Sequence, residues 1–139
     1  MQKEIIQTFT DYYTDLDMFD RQALAELYSD DIEFSDPIHS LNGLDALHQY
    51  FKGMANNVEC CTFNFHRQII KDNQAYLEWD MKLTMKGSTN VIEVPGVTYV
   101  EYGEKIHLHR DYFDAGKMFY ENVPILEKII KYIKRRIAS

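Results

Sequence analysis

The chain has only two cysteines in 139 residues, and they are adjacent, Cys60 and Cys61. Neighbouring thiols make a poor disulfide and a poor metal site by themselves, so reduced thiols in a cytoplasm fit the pair better than covalent staples. No apolar run approaches the ~20 residues that span a bilayer, and the opening Met1-Gln2-Lys3-Glu4-Ile5-Ile6 has no apolar signal core. The expectation is a soluble, cytoplasmic chain. Gly/Ser linkers, low-complexity tracts and internal repeats are missing, and the six glycines are scattered at turns. So are a nucleophile elbow, a phosphate-cradling loop and a dinucleotide fingerprint. The formal charge is −7, which argues against nucleic acid as a partner, since phosphate neutralisation needs a basic surface.

What is present is apolar and aromatic. Hydrophobic residues make up 45% and aromatics 14%, including ten Tyr and eight Phe, enough for one ordered domain with a core of its own. Ile5, Ile6, Phe9, Tyr12, Tyr13 and Leu16 recur at helical spacing, predicting an amphipathic helix over residues 3–16. Asp20 is a suitable N-cap for a second helix through Tyr28, ended by Asp30-Asp31. Residues 32–35 alternate as a short strand, and Pro37 forces Asp36 into an extended conformation. Asn42-Gly43 turns the chain into a third helix over 44–54.

From Cys60 the period falls to about two. Strands are predicted over 62–70, 75–85 and 91–102, the first two joined by a hairpin turn at Asp72-Asn73 and the third kinked or bulged at Pro95-Gly96. A fourth follows the Gly103-Glu104 turn. Helices followed by an antiparallel meander spell an α+β class with helices on one face of a curved sheet. Met118 to Glu121 fits a single turn. Pro124 then opens a basic amphipathic helix with Ile125, Leu126, Ile129, Ile130, Ile133 and Ile137 on its apolar stripe. Two readings of that helix compete: closure of the domain or a dimer, and docking on a membrane surface through Lys128, Lys131, Lys134, Arg135 and Arg136.

The late strand carries the richest chemistry. Alternation places His107, His109, Asp111 and Phe113 on one face, and Leu108, Arg110, Tyr112 and Asp114 on the other. Two imidazoles and a carboxylate make an unusual core face, although a solvated sheet face carries charge as well. Asp111 and Asp36 are expected to face a pocket walled by Trp79, Met81, Phe34, Phe113 and Tyr12, an arrangement suited to proton transfer. His109, two residues from Asp111, would hold the aspartate's charge or act as the base with Asp111 orienting its ring. Structural readings compete for each. Asp-Pro suits a strand end, Tyr12 and Trp79 suit a core, and His39, His48 and His66 suit the surface. His107, His109 and Asp111 lack supporting ligand spacing elsewhere, so neither metal nor cofactor is implied.

With this order of elements, the chain resembles the nuclear transport factor 2-like superfamily, which includes SnoaL-like polyketide cyclases, ketosteroid isomerase and limonene epoxide hydrolase. The resemblance rests on Leu27-Tyr28-Ser29-Asp30-Asp31 running into Asp36-Pro37, on Gly43-Leu44-Asp45-Ala46-Leu47, and on Lys105-Ile106 running into Arg110-Asp111-Tyr112-Phe113-Asp114. It implies a cone-shaped barrel over residues 1–122 with an apolar pocket. Residues 123–139 would be an added C-terminal helix of the same domain. It also implies a homodimer through the outer sheet face near Arg110 and Tyr112.

By the same resemblance, Asp36 matches the isomerase's proton-shuttling aspartate and Tyr12 its oxygen-polarising tyrosine. The isomerase's protonated acid falls near Val97-Thr98, where Thr98 is a weaker donor. One lost oxyanion donor costs about 3 kcal/mol of transition-state stabilisation. Asp111 matches a catalytic aspartate of the epoxide hydrolase, but that enzyme's Arg and second Asp fall at Trp79 and Met81, so neither reaction transfers intact. Two functions stay open: acid–base catalysis on a lipophilic small molecule by Asp111, Asp36, Tyr12 and His109 (an isomerase, cyclase or hydrolase), and a non-catalytic module binding a hydrophobic ligand or a protein.

Overall fold

Local signals set several element ends. Asp20 caps helix α2 (Arg21–Leu27) by accepting the amides of Gln22 and Ala23 at 2.9 and 3.3 Å. Gly43, at φ +96°, turns the chain into helix α3 (Leu44–Ala55), a conformation that L side chains resist. Asp72 and Asn73 both adopt positive φ and join strands β3 (Val58–Lys71) and β4 (Gln74–Met85) in a two-residue hairpin. The computed structural model describes residues 2–14, 20–117 and 124–138. Leu16 and the turn expected at 118–121 lie outside them.

Helix α1 (Gln2–Thr14), α2 and α3 pack on one six-stranded sheet. Its other strands are β1 (Tyr28–Ser35), β2 (Ser40–Asn42), β5 (Val91–Tyr102) and β6 (Ile106–Phe113), in the order β2-β1-β6-β5-β4-β3. All neighbours are antiparallel except β1 and β6. The sheet curls without closing, so β2 and β3 remain edges. The core fills its concave side, with Ile6, Phe9, Leu24, Leu27, Leu47, Leu77 and Ile106 buried among others. A smaller cluster of Trp79, Met81, Leu83, Ile92 and Val94 continues along β4 and β5.

Four expectations need correction. Tyr28–Asp31 belong to a strand, because Tyr28 pairs with Ile106 far along the chain and is fully buried there. β2 was not foreseen, and with β1 it widens the four-stranded meander to six strands. The kink at Pro95-Gly96 does not interrupt the β4 ladder, whose register runs evenly from Val94↔Met81 through Gly96↔Trp79. Pro95 needs no second amide partner, since β6 reaches β5 only from Gly96 onward. Finally, the alternation on β6 holds for His109, Asp111 and Phe113 but breaks at His107: Tyr102 pairs with Ile106 but Glu101 with Leu108, a register shift. Ile106 and His109 are buried while His107 is exposed, its Nε2 4.0 Å from Glu101.

Helix α4 (Pro124–Ala138) follows. Ile129, Tyr132, Ile133 and Ile137 are exposed on it, so this part of its stripe does not close the domain. Lys134 reaches Asp114 at 3.0 Å. Among the described residues, no helix is long and apolar enough to cross a membrane.

Candidate active site

His109 is the only buried histidine among the described residues, 1% exposed. Alternation with Asp111 and Phe113 turns it inward, beneath Phe9, Tyr13 and Phe34, whose rings lie 4.7–6.2 Å from the imidazole. Both of its nitrogens are engaged. Nε2 lies 2.7 Å from Asp111 Oδ1, and Nδ1 lies 2.8 Å from the Tyr28 hydroxyl. Tyr28 continues to the Tyr13 hydroxyl at 2.7 Å. Burial raises both phenols well above the usual tyrosine range, so they stay protonated as hydrogen-bonding groups.

On the other side, Thr98 is 2% exposed and sits opposite Asp111 in the β5–β6 ladder. The Trp79 indole N–H can only donate, and it does so to Thr98 Oγ1 at 2.8 Å. The Thr98 proton is therefore directed to Asp111 Oδ1, 2.6 Å away. In the tautomer whose Nε2–H donates to Asp111 and whose Nδ1 accepts from Tyr28, the bonds run one way, from Tyr13 through Tyr28 and His109 to Oδ1. Oδ1 thus collects two donors, and Oδ2 accepts no hydrogen bond among the described residues.

Asp36 is organised differently. Its Oδ1 accepts the amides of Ile38 and His39, each at 2.8 Å, the geometry of a turn at Asp36-Pro37. Its Oδ2 accepts a short hydrogen bond from the Tyr50 hydroxyl of α3. Burial, then that bond, pushes the Tyr50 phenol far above its ordinary range.

Both carboxylates line one small cavity of about 40 Å³. Phe34, Trp79, Met81 and Phe113 wall it as expected, joined by Tyr13, Tyr50, Phe51, Met54, Cys61 and Phe63. Tyr12 does not line it. Its neighbour Tyr13 does, because Ile6 and Phe9 set the helical phase that carries Tyr13, not Tyr12, into the core. Thr98 and His109 do not line it either; they stand behind Asp111 and hold it. Trp79 and Met81 fill the places where the hydrolase-like Arg and Asp were sought, so the wall there is apolar. His107 faces solvent, and His66 bonds Asp80 at 2.6 Å on an exposed surface. Among the described residues, no three His, Cys, Asp or Glu side chains are grouped as metal ligands.

Sequence reasoning missed Tyr13 and Tyr28 as partners of the site. The spacing Ile6, Phe9, Tyr13 was a readable signal for the first. No local signal existed for the second, which reaches His109 across 81 positions of sequence.

A curled, unclosed α+β sheet with helices packed on one side, as here, defines a recognisable class of fold. The chain belongs to the SnoaL-like domain family, whose pattern matches residues 9–106. Among solved structures it is similar to an LEH-like epoxide hydrolase from M. tuberculosis, with 18% identity, 84% of each chain covered and a TM-score of 0.68. It is also similar to an NTF2-like protein of unknown function from Burkholderia pseudomallei, with 10% identity, 84% of this chain and 93% of the other covered, and a TM-score of 0.75. A Catenulispora acidiphila protein with a ketosteroid isomerase-like fold, solved with trimethylamine, matches at 18% identity, with 82% and 88% covered and a TM-score of 0.71. At these identities the likeness concerns the fold. No curated protein matches the chain significantly.

Proposed function

We propose that the chain is an acid–base enzyme acting on a lipophilic small molecule, with Asp111 as the proton-moving group. One observation carries this reading: a cavity-lining carboxylate has one oxygen held by Thr98 and His109 and the other with no donor among the described residues. That is how a base is oriented while its second oxygen meets a substrate proton. Asp36, whose Oδ2 accepts from Tyr50, sets a second carboxyl group across the same cavity, so an isomerisation, cyclisation or hydrolysis that passes a proton between two carboxyl groups is within reach. Tyr12 stands outside the cavity lining with its ring against Tyr13, and Tyr13 both lines the cavity and reaches Asp111 through Tyr28 and His109.

The test is turnover of a panel of lipophilic enones, epoxides and lactones by the wild type and by Asp111→Asn. Turnover by the wild type, lost in the variant with its melting temperature held, is the expected result. Equal turnover by both removes Asp111 from the chemistry. The small cavity favours a second reading, a module that binds without reacting; ligand-induced stabilisation with no product across the panel would establish it. In either case the outer sheet face, with exposed Tyr112 and Tyr76 and with Tyr99 whose ring lies 4.8 Å from that of Tyr76, is the surface we assign to a homodimer. The free thiols of Cys60 and Cys61 agree with a cytoplasmic setting.

A further inference from the structure

The cavity beside Asp111 is too small for a lipophilic molecule, having room for little more than one water. A much larger groove of about 610 Å³ opens next to it, between the C-terminal half of α3 and the adjoining ends of β3 and β4. Tyr50 and Met54 line both spaces and so form the wall between them. The groove's volume lies in the range of small-molecule sites, roughly 300–1,000 Å³.

Its chemistry is graded. Met54, Val58, Leu83 and Met85 form an apolar part, whereas Gln49, Asn56, Asn57, His39 and Lys86 supply hydrogen-bond donors. The chain carries 22 acidic residues, yet none lines the groove among the described residues. Lys86 is held at the end of α3 by its backbone amide, which donates to the Asn57 carbonyl at 2.9 Å. The last carbonyls of that helix do not confront a ligand as bare acceptors, since Gly53 and Met54 oxygens take the amides of Asn56 and Asn57. The carboxylates Asp36 and Asp111 lie instead at the inner end, beyond Tyr50 and Met54.

We infer that the groove binds a lipophilic carboxylate, its charged head at Lys86 and its apolar body directed past Met54 towards Asp111. The reverse orientation would set the ligand's anion against two carboxylates, whereas a cationic amphiphile would either meet Lys86 or have to force its head into the cavity of about 40 Å³ beside Asp111. Met54 is the flexible part of the wall, because an unbranched thioether repacks at low cost. The inference names the substrate class of the proposed enzyme and rests on that reading for the direction in which the ligand points.

Dodecanoate, dodecanol and dodecyltrimethylammonium, each below its micellar concentration, test it by calorimetry and by 13C-methyl NMR of the methionines. Dodecanoate should bind and shift Met54 and Met85, dodecanol should bind more weakly, and the ammonium ion should not bind. Lys86→Glu should weaken dodecanoate by about tenfold and leave dodecanol unchanged, with Lys86→Gln intermediate. Equal dodecanoate affinity in the wild type and both variants, or equal binding of the cationic probe, overturns the inference. Asp111→Asn separates the two proposals. It should retain dodecanoate binding even where turnover is lost, so a groove that binds carboxylates in a protein that turns nothing over refutes the enzyme and not the groove.

Discussion

Gly96 lies directly over the indole of Trp79, its cross-strand partner. A Cβ at residue 96 would stand 2.7 Å from Cζ3 and 2.8 Å from Cζ2, and closer still to Cη2. The absence of a side chain at Gly96 therefore lets Trp79 lie flat enough to reach Thr98 and wall the cavity. Gly96→Ala should cost about 1–3 kcal/mol through overpacking and displace the ring. Trp79 is the only tryptophan, so the protein's fluorescence reports the displacement directly, and urea unfolding reports the cost. An unchanged spectrum with unchanged stability would contradict the contact.

Tyr28 serves two partners at once. Tyr28→Phe removes the bond to His109 Nδ1 and the bond to the Tyr13 hydroxyl, both buried. Each orphaned polar group costs about 1–3 kcal/mol, so this variant should unfold earlier than Tyr13→Phe, which orphans no ring nitrogen. Urea midpoints of the two variants, measured side by side, decide the order.

The adjacent thiols should part company chemically. Cys60 is exposed, whereas burial, followed by the neighbouring Cys60, pushes the Cys61 thiol up to about 12. Thiolate is the reactive form, so Cys61 stays inert at mildly alkaline pH. One thiol per chain should react with a disulfide reagent at pH ~8, and the second only on unfolding. Two thiols reacting promptly in the folded protein would refute the assigned burial.

The contact between Asp114 and Lys134 should weaken in acid. The Lys134 ammonium bonded to Asp114 holds its carboxyl below the usual range. A depressed folded value means that the contribution is present above the unfolded value of about 3.9 and is lost as pH falls through the lower folded value. Both side chains are about half exposed, so the pair is worth at most ~1 kcal/mol and is screened by salt. Amide resonances of α4 should shift between pH ~4 and ~2, and again in ~1 M salt at neutral pH. Asp114→Asn should abolish both responses.

Features that depend on a few neighbouring residues were legible in the chain alone. The Asp20 cap, the Asp72-Asn73 hairpin, the turn at Gly43 and the alternation along β4 are each settled by backbone preferences within a handful of positions. So were the class of fold and the two aspartates worth examining. The tertiary structure alone decided what those aspartates touch. A register shift at His107 sends that histidine to solvent, which strict alternation could not foresee, while His109 keeps the face that alternation gave it. The parallel pairing of β1 with β6 brings Tyr28 to His109, and helical phase selects Tyr13 over Tyr12. Long-range strand pairing overrides local preference because its hydrogen bonds and buried area are gained only when distant segments meet. The charged strand could therefore be recognised in the sequence, but the hydrogen-bond chain that orients Asp111 exists only in the fold.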